Sequence, residues 1–128
     1  MHHTRFAQFP ATDYLSAMAD AMQKWTELSS QFDVPYYPNV SMGWDPTPRC
    51  AGEWREGGYP FTSVLVNNTP QNFKLALQKA KAFLDEQPGT RRIFNINAWN
   101  EWTEGSYLEP DTVNGYGYLE AIREVFTR

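Results

Sequence analysis

Cysteine is almost missing from this chain. Cys50 is its single thiol in 128 residues, so no disulfide can close within the chain and the redox compartment stays open. Histidine is as scarce: His2 and His3 stand side by side at the N-terminus, where they read as a terminal tract or a vector-derived remnant. Without a third histidine a His-rich zinc site is excluded, and a Ser-His-Asp triad would have to recruit one of that pair. Positive charge is also in deficit. Eleven basic residues face fifteen acidic ones, giving −4, and no basic cluster exceeds Arg91-Arg92, so nucleic acid is not an expected partner. No apolar run approaches the roughly 18 residues of a membrane span, and the N-terminus lacks the apolar core of a signal peptide. No membrane association is expected, and localisation is left unknown. Neither a GxGxxG nor a GxxxxGK(S/T) loop is present to cradle a nucleotide phosphate, so neither a cofactor nor a metal is expected.

Against these deficits stands a surplus of aromatic residues, five Trp, seven Tyr and eight Phe. Helical stripes need only part of them, and the remainder points to an aromatic-lined groove. Thr12 or Asp13 caps a first helix whose apolar positions Tyr14, Leu15, Met18, Met22, Trp25 and Leu28 recur at three- and four-residue spacing, until Ser29-Ser30-Gln31 closes it. Residues 34–42 predict a strand, weakened in its first half by Pro35 and Pro38. A long loop rich in Gly, Pro and Trp follows over 43–60, a length at which function becomes more common. Residues 61–66 read as a short strand or an extended approach to one.

Thr69-Pro70 opens a second helix, Thr as cap and Pro in the first turn. Phe73, Leu77, Ala80, Phe83 and Leu84 make its inward stripe, and Gln87-Pro88-Gly89 stops it. A strand is expected over 91–99 and a third helix over 114–126, with Tyr118, Leu119, Ile122, Val125 and Phe126 apolar. Helices alternating with strands predict a parallel α/β arrangement. No repeat, low-complexity tract or linker divides it, so 1–128 is taken as a single domain.

The densest chemistry lies just after the 91–99 strand, where the chain reads Asn97-Ala98-Trp99-Asn100-Glu101-Trp102-Thr103-Glu104-Gly105-Ser106-Tyr107-Leu108-Glu109-Pro110-Asp111. A strand that releases carboxylates and indoles into a Gly- and Pro-punctuated loop suits sugar chemistry. Carboxylates supply acid, base or nucleophile at an acetal carbon, and aromatic faces cover the apolar faces of a pyranose ring. In an extended strand Glu101 and Glu104 would lie roughly 10 Å apart on opposite faces. Glycosidase carboxyl pairs are about 5–5.5 Å apart when retaining and about 6.5–9.5 Å when inverting. The two acids can therefore cooperate only if the chain curls after Asn100, which Gly105 allows. Otherwise Glu101 ends the strand and Glu104 caps the loop.

That segment, followed by Tyr116-Gly117-Tyr118-Leu119-Glu120-Ala121, closely resembles the C-terminal signature of the glycoside hydrolase family 99-like proteins, including those described as WbsX-type glycosyltransferases. Ser41-Met42-Gly43-Trp44-Asp45-Pro46-Thr47-Pro48-Arg49 is similar to the same family's preceding strand-end motif. The resemblance implies an α/β fold that is the C-terminal portion of a (β/α)8 barrel. It implies a carbohydrate substrate, with Glu104 as general acid/base and Glu101 deprotonating the sugar's 2-hydroxyl. Ser106-Tyr107-Leu108 departs from the family's usual Thr-Gln-Ile type run, which bears on substrate identity.

The resemblance thus implies an endo-type glycoside hydrolase acting on poly- or oligosaccharides. The alternatives are a glycosyltransferase of polysaccharide biosynthesis and a non-catalytic carbohydrate-binding fragment. Sugar contacts are expected from Trp44, Asp45, Arg49, Asn97, Trp99, Asn100, Trp102, Tyr107 and Glu109. The Trp44 loop has two readings. In one, Trp44 stacks on a sugar while Asp45 and Arg49 bond hydroxyls or orient a catalytic Glu. In the other, Asp45 and Arg49 bridge each other and brace the loop, with Trp44 plugging the barrel top. Glu53 and Trp54 read as loop surface. A (β/α)8 barrel takes about 250 residues and at least about 200, so 128 residues make either a piece of a longer enzyme or a chain that pairs with a copy. Apolar Ile93, Phe94 and Ile96 need cover on both faces, and a homodimer completing the sheet is the expected partner.

Overall fold

The computed structural model describes residues 6, 8–87 and 92–127. The expectations for Pro88, Gly89 and Arg91, and the His2/His3 pair, lie outside the described residues.

Strand β1 (Ala11–Asp13) runs straight into helix α1 (Tyr14–Gln31). Asp13 makes the transition. Its Oδ1 accepts the N–H groups of Leu15 at 2.9 Å and Ser16 at 3.2 Å, two donors that the first helical turn leaves without partners. Asn67 Nδ2 donates to Oδ2 at 2.8 Å. That bond foremost, with the helix-end N–H groups, holds the carboxyl below its ordinary range. Helix α1 buries Tyr14, Ala17, Met18, Ala21 and Trp25 and leaves Leu15 exposed, so the buried stripe leans on alanines more than on long aliphatics.

Helix α2 (Pro70–Glu86) starts as its sequence requires, with Thr69 accepting from the Asn72 N–H at 3.2 Å and Pro70 in the first turn. It buries Phe73, Ala76, Leu77, Ala80 and Leu84. Helix α3 (Gly117–Phe126) packs on α2, with Tyr118 edge-on to Phe73 at 5.6 Å between ring centroids. It begins three residues later than the sequence predicts. Gly115 is the cause: at φ +55° it is left-handed, a conformation that no right-handed α-helix passes through. Its N–H donates to the Asp111 carbonyl at 3.0 Å and closes a turn, which the Asp111 carboxylate supports by accepting the N–H groups of Val113 and Asn114.

Strand β2 (Asn39–Ser41) pairs in parallel with β4 (Asn95–Asn97), and β1 pairs in parallel with β3 (Val64–Val66). The strands expected over 34–42 and 91–99 are thus shorter than predicted. Pro35 and Pro38 have no N–H for a ladder, and Pro38 takes part only through its carbonyl, which accepts from Asn95 at 2.9 Å. The result is a mixed α/β fold with parallel pairing. Each ladder joins strands two apart in sequence, whereas neighbouring strands of a (β/α)8 barrel are consecutive. The two pairs meet where the Leu65 N–H donates to the Trp44 carbonyl at 2.8 Å.

Below the strand ends lies a buried polar knot. The Ser41 and Ser106 hydroxyls sit 2.9 Å apart, Ser106 donates to the Asn97 carbonyl at 2.7 Å, and Asn97 Nδ2 donates back to Ser106 at 2.9 Å. Tyr14 donates to the Ser41 carbonyl at 2.6 Å, and burial pushes its phenol far above the ordinary tyrosine range.

Candidate functional site

Two loops leaving the C-terminal ends of β2 and β4 build the site. In the first, Asp45 Oδ1 accepts from the N–H and hydroxyl of Thr47, at 3.0 and 2.7 Å, and starts a 3₁₀ turn over Thr47–Arg49 that turns Arg49 back over the strand ends. Cys50 is buried beneath, its thiol 3.5 Å from the carbonyls of Pro46 and Pro60. The indoles of Trp44 and Trp54 both reach Thr62, at 3.0 Å to its hydroxyl and 2.9 Å to its carbonyl. Trp54 also meets the Phe9 ring at 4.9 Å. It is half-buried, a brace of the loop rather than loop surface.

The second loop is a tight hairpin, β5 (Asn100–Glu101) antiparallel to β6 (Ser106–Tyr107), closed by a 3₁₀ turn over Trp102–Glu104. Gly105 ends that turn at φ +57°, so the curl that the two acids require is present. The loops pass backbone to backbone, and the Asp45 N–H donates to the Glu104 carbonyl at 2.6 Å. A Cβ on Gly43 would meet the Gly105 carbonyl at 2.5 Å, and one on Gly105 would meet Asp45 Cβ at 2.8 Å. Glycine is required on both sides of this crossing.

Above the crossing Arg49 touches both acids. Its Nη2 lies 2.8 Å from Glu101 Oε1 and its Nε 3.4 Å from Glu104 Oε1. Thr103 donates to Glu101 Oε1 at 3.0 Å and Tyr59 to Glu104 Oε1 at 2.7 Å. The hydrogen bond to Glu104, ahead of desolvation and charge, pushes the Tyr59 phenol above its usual range. The Glu101 side chain is 43% exposed and that of Glu104 only 14%, so the two acids differ in access to water.

The aromatic residues of the motif form a bank beside this cluster. Trp102 stacks on Tyr107 at 3.7 Å, and its indole N–H donates to Glu109 at 2.6 Å. Tyr107 donates in turn to Asp111 at 3.2 Å. Trp99 and Asn100 are exposed on the same hairpin. Beside Gly105 a cavity of about 220 Å³ opens among Met42, Trp44, Asp45, Tyr107, Asn114 and Tyr118. Burial pushes the Tyr118 phenol up to about 12, and its hydroxyl donates to the Asn68 carbonyl.

Of the residues expected at a site, Glu101, Glu104 and Arg49 are in direct contact, and Trp102, Tyr107 and Glu109 form one stacked and hydrogen-bonded unit. Asn97 is directed inward to Ser106. The bracing alternative for the Trp44 loop is corrected in one respect: Arg49 reaches across to the two glutamates, while the Asp45 carboxylate turns to Thr47. Tyr59 and Thr103 are additions. Tyr59 had a signal, an aromatic directly after Gly57-Gly58 in a long loop and outside any helical stripe. Among the described residues no cluster of His, Cys, Asp and Glu suits a metal ion, and no helix is long and apolar enough to cross a membrane.

A family model described as Glycosyltransferase WbsX matches residues 2–122. The protein named "Uncharacterized protein WxcX" of Xanthomonas campestris pv. campestris, in strains B100 and ATCC 33913, is 35% identical over 111 residues. The match covers 81% of this chain and 15% of that protein, so the chain spans about 15% of the length of the curated relatives it matches. No solved structure matches the chain.

Proposed function

Because the chain belongs to the WbsX glycosyltransferase family, a family of carbohydrate-active enzymes, we propose that it supplies the paired carboxylates of a site that breaks glycosidic bonds. Glu104 acts as general acid, protonating the leaving oxygen, and then as general base. Glu101 takes the proton of the sugar's 2-hydroxyl, so that this oxygen closes on the anomeric carbon. The observation that carries this reading is the single Arg49 guanidinium in contact with both acids. It screens two like charges held on one guanidinium, so that both carboxylates can face one sugar. The stacked Trp102–Tyr107 pair offers the ring face that pyranose recognition uses.

Hydrolysis is the leading outcome, endo-acting on poly- or oligosaccharide. Transfer to a sugar acceptor is the second reading, favoured by the family's description, and it uses the same two carboxylates with water replaced by a hydroxyl. The test is turnover of α-mannan and plant β-glycans by the purified chain, with and without a sugar acceptor. Glu104→Gln should lower that turnover by roughly 10²–10⁴-fold. A variant within about twofold of the parent defeats the assignment.

The proposal extends to assembly. In it β2 and β4, paired in parallel, are neighbouring strands of the C-terminal part of a (β/α)8 barrel, and β3 lies in the connection between them, outside that sheet. A homodimer completes the sheet around β4, where Ile93 is 48% exposed. Each Å² of apolar area covered there is worth about 25 cal/mol. Sedimentation at micromolar concentration should give a dimer, and a stable monomer excludes it.

A further inference from the structure

Tyr59 stands in the loop between β2 and β3, outside both motifs that carry the family likeness, yet its hydroxyl donates to Glu104 Oε1 at 2.7 Å. Arg49 Nε approaches that same oxygen, at 3.4 Å. Two donors from one loop thus converge on a single oxygen of a carboxyl whose side chain is only 14% exposed. A carboxyl turns easily about its last torsion, which has broad, roughly two-fold wells. A donor fixed to one oxygen decides which oxygen faces out.

Resting on the acid/base reading of Glu104, we propose that Tyr59 is a positioning residue that pins Glu104 through Oε1 and so presents Oε2 to the glycosidic oxygen. The phenol is supported from behind. Its ring lies 6.2 Å from that of Trp44, which is tied to Thr62, and the turn that carries it is closed by the Phe61 N–H donating to the Gly58 carbonyl at 2.8 Å. The charged groups acting on it are Glu104, Arg49 and Glu101. The bond to Glu104 raises its ionisation, so it remains a donor through neutral and mildly alkaline pH. The loop thereby links a residue far along the chain to the orientation of the acid.

The test compares methyl and 2,4-dinitrophenyl glycosides of α-mannobiose and cellobiose. A dinitrophenolate departs without being protonated, whereas a methoxide leaving group needs the acid. Tyr59→Phe should slow kcat on the methyl glycoside by roughly tenfold, the scale of one hydrogen bond to a charged group. KM should stay within about twofold, and the dinitrophenyl substrate should be turned over nearly as before.

Equal slowing of both substrates, or of neither, overturns the role of Tyr59 if Glu104→Gln still separates them by leaving group. If Glu104→Gln does not separate them, or neither glycoside is cleaved, the acid/base reading falls and the positioning role with it. A readout independent of turnover is the phenolate absorbance titration, taken as the difference between the parent and Tyr59→Phe. Tyr59 should titrate above the ordinary tyrosine range in the parent and lower in Glu104→Gln. An unchanged titration in Glu104→Gln means that the two side chains are not in contact, and overturns the proposal.

Discussion

The hydroxyls of Ser41 and Ser106 lie 2.9 Å apart in the buried space under β2, β4 and β6, whereas Arg49 and Tyr59 meet Glu101 and Glu104 at the protein's surface, one loop above. Both clusters are made of short polar contacts; the lower joins the ends of β2 and β4 to the hairpin after β4, and the upper joins the loop after β2 to the same hairpin. Their energetics differ because their surroundings do. In the lower cluster each hydroxyl that lacked a partner would carry a desolvation cost, so the network has to be complete. Among the described residues no buried side-chain nitrogen or oxygen is left without a hydrogen bond. In the upper cluster water reaches Arg49 and Glu101, where the Coulomb attraction is weak, and only Glu104 is sheltered. The lower cluster therefore holds the hairpin in place. The upper one is poorly explained by stability alone, and a task for it at the surface explains why three loop segments converge there.

The sharpest way to break this contrast is Ser106→Ala. Ser106 is fully buried and bonds to both the carbonyl and the amide of Asn97. Loss of its hydroxyl takes the acceptor from the Asn97 amide and the donor from the Asn97 carbonyl, while the Ser41 hydroxyl keeps the Gly43 carbonyl at 2.6 Å. The expected cost is about 1–3 kcal/mol in urea unfolding, with an unchanged slope. A cost under about 0.5 kcal/mol would place the buried knot on the same footing as a surface contact, and the distinction would collapse.

How much of this was legible in the sequence follows the range of the interactions. The starts of α1 and α2 were readable because their signals are local: Asp13 bonds residues two and three further on, and Thr69-Pro70 opens the helix that it caps. Strand β1 was not, since Ala11–Asp13 has no apolar run and becomes a strand only by pairing with Val64–Val66. The start of α3 was misplaced because Gly115 takes a left-handed φ of +55°, which breaks any helix begun at Asn114, and nothing local in the sequence distinguishes that glycine from a helical one. Within the site, the curl between Glu101 and Glu104 was readable from Gly105. That Arg49 could orient a catalytic Glu was one of two readings, the other being a bridge to Asp45. No local pattern chose between Asp45, four residues away, and Glu101, 52 residues away and the one bonded. The alternation of helix and strand was visible too, but the order in which strands pair was not, because no local pattern encodes a neighbour two strands along.

Arg49→Met probes the other side of the contrast and should have the smallest effect on stability. Methionine keeps an apolar stem where the arginine stem lay, so packing is nearly conserved while the guanidinium is removed. The Arg49 side chain is 38% exposed and its nearer partner, Glu101, 43%. Pairs this accessible contribute about 0–1 kcal/mol, and the two glutamates left facing each other repel only weakly in water. The expected change in unfolding free energy is about 0.5 kcal/mol or less in low salt. It should shrink further as added salt brings the Debye length to about 3 Å near 1 M. Turnover should fall far more than stability does, because the geometry of the acid pair is lost while the fold is kept. A loss of stability equal to that of Ser106→Ala, unaffected by salt, would mean that the upper cluster is structural after all. In that case Arg49 would belong with the buried knot, and the case for chemistry at Glu101 and Glu104 would lose its main support.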